Sequence, residues 1–161
     1  MLNKRPIIMD VDTGVDDTLA LLLVAAADSL DLKAITTVFG NCSVADTTKN
    51  TLKICELYGL DVPVAAGACR PLIDPPIDYS VAPMVDIHGR DGLGNVGNTL
   101  PEPTKQAETL LAADLMAKAV KESEGKVTIV ATAPLTNIAT FLMAYPDLHE
   151  KVECIALMGG A

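Results

Sequence analysis

The feature that most constrains the fold is an alternation. Short apolar, β-branched runs are separated by segments with helical spacing, and the pattern recurs along the whole chain. PIIMDV (6–11) predicts a buried strand, and DDTLALLLVAAADS (16–29) a helix that opens on acids, where the helix dipole favours them. LKAITTVFG (32–40) predicts a second strand. SVADTTKNTLKICELYG (43–59) predicts a helix between a Ser cap and a terminal Gly. VPVAAG (62–67) is a third, short strand. Residues 68–104 hold most of the prolines and have no clear period, so they form a long loop region of the kind that usually serves function. TKQAETLLAADLMAKAVKES (104–123) predicts a helix, and KVTIVATA (126–133) a fourth strand. PLTNIATFLMAY (134–145) is a helix with Pro134 at its first position, and VECIALM (152–158) a fifth strand.

Such alternation predicts an α/β fold: an open, mostly parallel, Rossmann-like sheet with helices on both faces. The strand that runs into Gly159-Gly160-Ala161 leads one to expect a fold cut after its fifth core strand, with residues 1–161 the N-terminal part of a single domain. Aromatics are 3% of the chain, so Ala, Val, Leu and Ile must fill the core. A net charge of −9 argues against non-specific binding to nucleic acid or an anionic membrane, but not against a cation. Cys42, Cys55, Cys69 and Cys154 are scattered, as expected of reduced thiols in a cytoplasmic protein. The apolar run at the start is broken at once by Asp10, which does not fit a signal peptide. LALLLVAAA (19–27) is too short to span a membrane.

IIMDVDTGVDD (7–17) crowds Asp10, Asp12, Asp16 and Asp17 at the carboxyl end of the first strand, where ligands gather in open α/β sheets. Gly14 lets the chain turn there, and no Lys or Arg occurs between residues 6 and 31. Like charges so placed raise one another's pKa unless a positive group lies between them. A hard divalent cation with oxygen ligands, calcium or magnesium, is the simplest neutraliser. Helix capping alone would account for Asp16 or Asp17 taken singly, but not for the cluster.

Other strand ends add candidates. Asn41 follows the second strand and suits a hydroxyl partner, or a simple turn. Thr132 ends the fourth strand and offers a hydroxyl or carbonyl; Met158 ends the fifth, where core filling is the plain alternative. Asn137, just inside a helix, is expected to bond locally to backbone. His88 lies in the Gly-dense stretch DIHGRDGLGN (86–95), either on the surface or in a segment that covers a ligand, and His149 is expected to be exposed. An aspartyl phosphotransferase of the haloacid-dehalogenase type would also use two Asp residues spaced by one, as in DVDT. It calls for Thr or Val where this chain has Gly14, and it lacks the doubled acid at Asp16 and Asp17.

DVDTGVDDTLAL (10–21), AITTVFGN (34–41), IHGRDGLGN (87–95), ATAPLTNIA (131–139) and ALMGGA (156–161) together resemble the inosine–uridine preferring nucleoside hydrolase family, in its order and across the chain. The resemblance implies a calcium-dependent, homo-oligomeric enzyme that hydrolyses the N-glycosidic bond of ribonucleosides to ribose and free base. It implies that Asp12 is a calcium ligand and the base that activates a calcium-bound water. Asp17 and the Thr132 carbonyl would be further ligands. Asp16 and Asn41 would hold ribose hydroxyls, Met158 would floor the ribose pocket, His88 would stand near the base, and Asp10 would order the loop from behind. Thr13 replaces a Pro common in the family motif. Members run to roughly twice this length, and their second half supplies a further Asp to the metal, a His near the leaving base, and a Glu and Asn for the ribose. A catalytically incomplete fragment that binds calcium or ribose and needs a second half is therefore the alternative expectation.

Overall fold

The computed structural model describes residues 4–73 and 84–159. Residues 74–83 of the long loop and the last two residues of ALMGGA lie outside the described residues. Five strands form one sheet: β1 (Arg5–Val11), β2 (Leu30–Thr37), β3 (Val64–Ala66), β4 (Val127–Ala131) and β5 (Val152–Leu157), in the order β3-β2-β1-β4-β5. Every neighbouring pair is parallel. The helices are α1 (Val15–Ala26), α2 (Val44–Tyr58), α3 (Val85–His88), α4 (Ala112–Glu122) and α5 (Thr136–Ala144). This is the doubly wound α/β arrangement that the alternation predicts.

Side chains alternate across β1, so the two faces have separate cores. Ile7, Met9 and Val11 pack with Leu21 of α1 and with Leu52 and Ile54 of α2. Ile8 faces the other way, with Leu115, Met116 and Val120 of α4 and Phe141 of α5. Asp10 shares the parity of Ile8 and so points to the α5 side.

The ends of the elements follow their caps. The Ser43 hydroxyl accepts from the Asp46 N–H at the start of α2, and Gly59 closes that helix in the left-handed region at φ 64°. The helix expected over 104–123 is corrected: it starts only at Ala112. Residues 104–111 are drawn instead along the β3 side of the sheet. There the Glu108 N–H donates to the Val64 carbonyl (2.7 Å), and Lys105 Nζ reaches both Asp61 and the Val62 carbonyl at 2.8 Å. These bonds outweigh the helix propensity of the segment. Pro134 likewise precedes α5 by two residues, because the helix begins at Thr136. No helix among the described residues is long and apolar enough to cross a membrane.

Candidate active site

Strand order reverses between β1 and β4, the place where open α/β sheets present ligand sites. The chain leaves β1 at Asp12, leaves β2 toward Asn41 and leaves β4 at Thr132. A cavity of about 610 Å³ opens there, lined by Asp12, Asp16, Asn41, His88, Thr132 and Met158. Six residues singled out from widely separated motifs therefore share one cavity. Asp10 and Asp17 stand behind it, with 0% and 1% exposure.

Each acid has a separate set of partners. Asp12 Oδ2 accepts from the Asn41 N–H (2.8 Å), and the Asn41 amide donates back to the Asp12 carbonyl (3.3 Å). Asp17 Oδ2 accepts from the Gly14 N–H (2.9 Å), and its Oδ1 from the Thr132 hydroxyl (2.5 Å), which joins the start of α1 to the end of β4. Asp10 Oδ1 accepts from Thr36 Oγ1 (2.6 Å) and Asn137 Nδ2 (2.8 Å), while its Oδ2 is buried without a hydrogen-bond partner. Asp16 is half exposed at the rim, 3.8 Å from His88 Nδ1.

Burial without a countercharge governs the electrostatics. Desolvation, and then the neighbouring Asp17 charge, push Asp12 up to about 7. Desolvation also raises Asp17, against the hydrogen bonds from Thr132 and Gly14. Asp10 is pushed up to about 7 by burial, with Asn137 and Thr36 opposing. The two buried carboxylates of Asp12 and Asp17 act on each other electrostatically. Among the described residues, no group of three or more His, Cys, Asp or Glu side chains is close enough to hold a metal ion. The donors present are two hard carboxylates and a threonine, of a type that suits calcium or magnesium but too few to complete its shell.

Two features escape sequence reasoning. Asn137 is expected to bond locally, yet it spans the sheet end: it donates to Asp10 and to the Thr37 carbonyl (2.9 Å) and accepts from the Ala68 N–H (2.9 Å). Gly40 packs its backbone so closely on Asp12 that any Cβ there would overlap the carboxylate. The signal for Gly40 was its place between a strand and a polar residue at a strand end. For Asn137 the only signal was an amide at the start of an otherwise apolar helix.

The family model for inosine-uridine preferring nucleoside hydrolases matches residues 7–161. The chain belongs to this family. The pyrimidine-specific ribonucleoside hydrolase RihA of Citrobacter koseri is 44% identical over 157 residues, which is 97% of this chain and 48% of that protein. RihA of Escherichia coli O1:K1 / APEC matches at the same identity and the same coverage of both chains, 44%, 97% and 48%. Among solved structures, the purine-preferring ribonucleoside hydrolase from Gardnerella vaginalis superposes with a TM-score of 0.88 at 34% identity, over 98% of this chain and 49% of that one. The chain spans about half the length of the curated relatives it matches. Family membership sets aside the phosphotransferase reading of DVDT.

Proposed function

We propose that this chain carries the acidic half of a site that hydrolyses the N-glycosidic bond of ribonucleosides. The observation that carries the proposal is the buried Asp12–Asp17 pair, set at the strand-order reversal beside an open cavity. The family match and the names of the relatives support the substrate class. Those names divide between pyrimidine-specific and purine-preferring enzymes.

Asp12, Asp17 and Thr132 would hold a calcium ion, with further ligands from water or from the part of the relatives that this chain does not span. When bound, calcium would neutralise the acid pair and lower the pKa of a water in its shell. Asp12, oriented by the Asn41 N–H, accepts the proton of the attacking water. Asp16 and Asn41, both lining the cavity, bind hydroxyls of the sugar and hold its anomeric carbon toward Asp12. As the bond to the base breaks, the base leaves with the bonding pair and takes a proton from solvent, while the ribose gains oxocarbenium character that the surrounding carboxylates stabilise. Met158 supplies an apolar wall, and His88 lines the same cavity.

A second reading follows from the short donor set: this chain alone binds calcium or ribose without turnover. Ribose release from uridine and inosine in the presence of calcium, together with calorimetric titration of calcium, separates the two. Turnover abolished by Asp12→Asn supports hydrolysis by this chain. Calcium binding without turnover supports the incomplete site. Neither binding nor turnover overturns both.

A further inference from the structure

The polar side of α2 is buried. Asn50 and Lys53 are 6% and 2% exposed, and Thr47 and Thr51 are fully covered. A surface helix ordinarily turns such residues outward. Asn50 Nδ2 donates to the Asp91 carbonyl (2.8 Å) and to the Thr13 carbonyl (3.5 Å), so one amide joins the acidic turn to the segment after α3. The hydroxyls of Thr13 and Thr51 lie 2.6 Å apart. One turn further along, Lys53 Nζ donates to the Gly97 carbonyl (2.8 Å), with the Glu102 carboxylate at 3.0 Å. Lys53 is the only buried Lys or Arg among the described residues. A buried ammonium persists only when well partnered, and both of its partners belong to the same segment.

That segment is stiff. The Asp91 carboxylate accepts from the N–H groups of Leu93 (2.9 Å), Asn95 (2.8 Å) and Gly97 (2.8 Å). A Cβ on Gly92 would lie 2.6 Å from Cys42 Sγ and 3.0 Å from Asn50 Nδ2, so the segment lies flush on α2. His88 comes immediately before it and is tied to it by the Gly94 N–H donating to the His88 carbonyl (2.7 Å). His88 Nδ1 then accepts from the Val15 N–H (3.3 Å) at the start of α1. Whenever the ring is neutral, an Nδ1 that accepts this bond leaves the proton on Nε2; the Asp16 carboxylate lies 3.8 Å from the same Nδ1.

We propose that Asn50 and Lys53 are positioning residues that pin the 88–102 segment against the acidic turn and so set the His88 ring, in one tautomer, at the edge of the cavity. The proposal shares with the hydrolase reading only the placement of His88 in the site.

The chain has two histidines, so ¹⁵N imidazole spectra read His88 directly, with His149 as an internal reference. In the unsubstituted protein under mildly alkaline conditions, His88 shows two well-separated ring-nitrogen signals. In Asn50→Ala and in the near-isosteric Lys53→Met, that separation collapses by at least half, while the His149 signals and the far-UV circular dichroism stay as they were. Unchanged His88 signals in both folded variants overturn the proposal. Loss of the fold in both variants also overturns it, because the pair would then be a core element and not a positioning device. No substrate is present in these spectra, so absent turnover bears only on the hydrolase reading.

Discussion

Asn137, at the start of α5, donates a 2.8 Å hydrogen bond to the buried carboxylate of Asp10, 127 residues away in sequence on the central strand. The same side chain also satisfies the Thr37 carbonyl and the Ala68 N–H. One amide thus ties the carboxyl ends of β1 and β2 and the exit of β3 to the helix on the far face. Asn137→Ala takes one hydrogen bond from each of three groups; Asp10 keeps Thr36 and the Thr37 carbonyl keeps the Gly67 N–H, so the cost is about 1–3 kcal/mol. Urea unfolding should show that loss, whereas Asn98→Ala, at an exposed position, should lose less than half as much.

The contrast between Asn137 and its neighbours shows what the sequence makes legible. The succession of strands and helices and the gathering of Asp12, Asn41 and Thr132 follow from periodicity, because each of the three lies just past a strand end and all parallel strands end on one side; Asp16 joins them from the first turn of α1. Asn137 could not be placed that way. Its partners are set by side-chain parity across the sheet, which puts Asp10 and not Asp12 on the α5 face. The start of α4 was hidden for a similar reason: tertiary bonds of Lys105 and Glu108 to the edge of the sheet override a segment of good helix formers. The buried polar side of α2 looks solvated in sequence, because nothing local reveals that a distant Gly-rich segment lies upon it.

The acids give the metal-free chain an unusual pH dependence. Asp10 and Asp12 rise from 3.8 to about 7 on folding. Between these values the folded state holds protons that the unfolded state has released, so their contribution to stability is complete below about pH 4 and is lost as pH rises toward 7. The free energy of urea unfolding in the presence of a chelator should fall from pH 5 to pH 7.5 by on the order of 3–5 kcal/mol. Calcium, competing with those protons, should stabilise more at pH 7.5 than at pH 5. A midpoint that rises with pH, with no flattening in Asp12→Asn, would count against the coupled acid pair.

Gly40 tests the tightness of the Asp12 setting. A Cβ at this position overlaps the Asp12 carboxylate, whereas one on Gly125 meets nothing within 4 Å. Gly40→Ala must displace Asp12 or the turn that holds it, and disturbing the support of a metal ligand weakens metal affinity by about 10–100-fold. Calorimetric titration with calcium should show that loss for Gly40→Ala and none for Gly125→Ala.

Leu19 and Leu23, one turn apart on α1, are 63% and 70% exposed, and Leu23 lines a pocket with Thr128 and Val130 of β4. Parallel sheets are normally covered on both faces, and contiguous apolar surface of this kind drives association. The double variant Leu19→Glu, Leu23→Lys should reduce concentration-dependent association in sedimentation velocity. It should move the thermal midpoint by little, because neither side chain is buried in the fold described.

Asp12 and Asp16 line one cavity but differ in setting, and their variants should part accordingly. Asp12 is 6% exposed and oriented by the Asn41 N–H, as a base must be; the Asp16 side chain is 53% exposed at the rim. Asn at position 12 keeps an oxygen for the Asn41 N–H but cannot take a proton from water. On the hydrolase reading proposed above, Asp12→Asn lowers kcat for ribose release from uridine by about 10²–10⁴-fold. Asp16→Asn keeps a group able to bind a hydroxyl, so its main effect should fall on KM. If Asp12→Asn instead raised KM and left kcat intact, Asp12 would be a binding residue and the proton would have to go elsewhere.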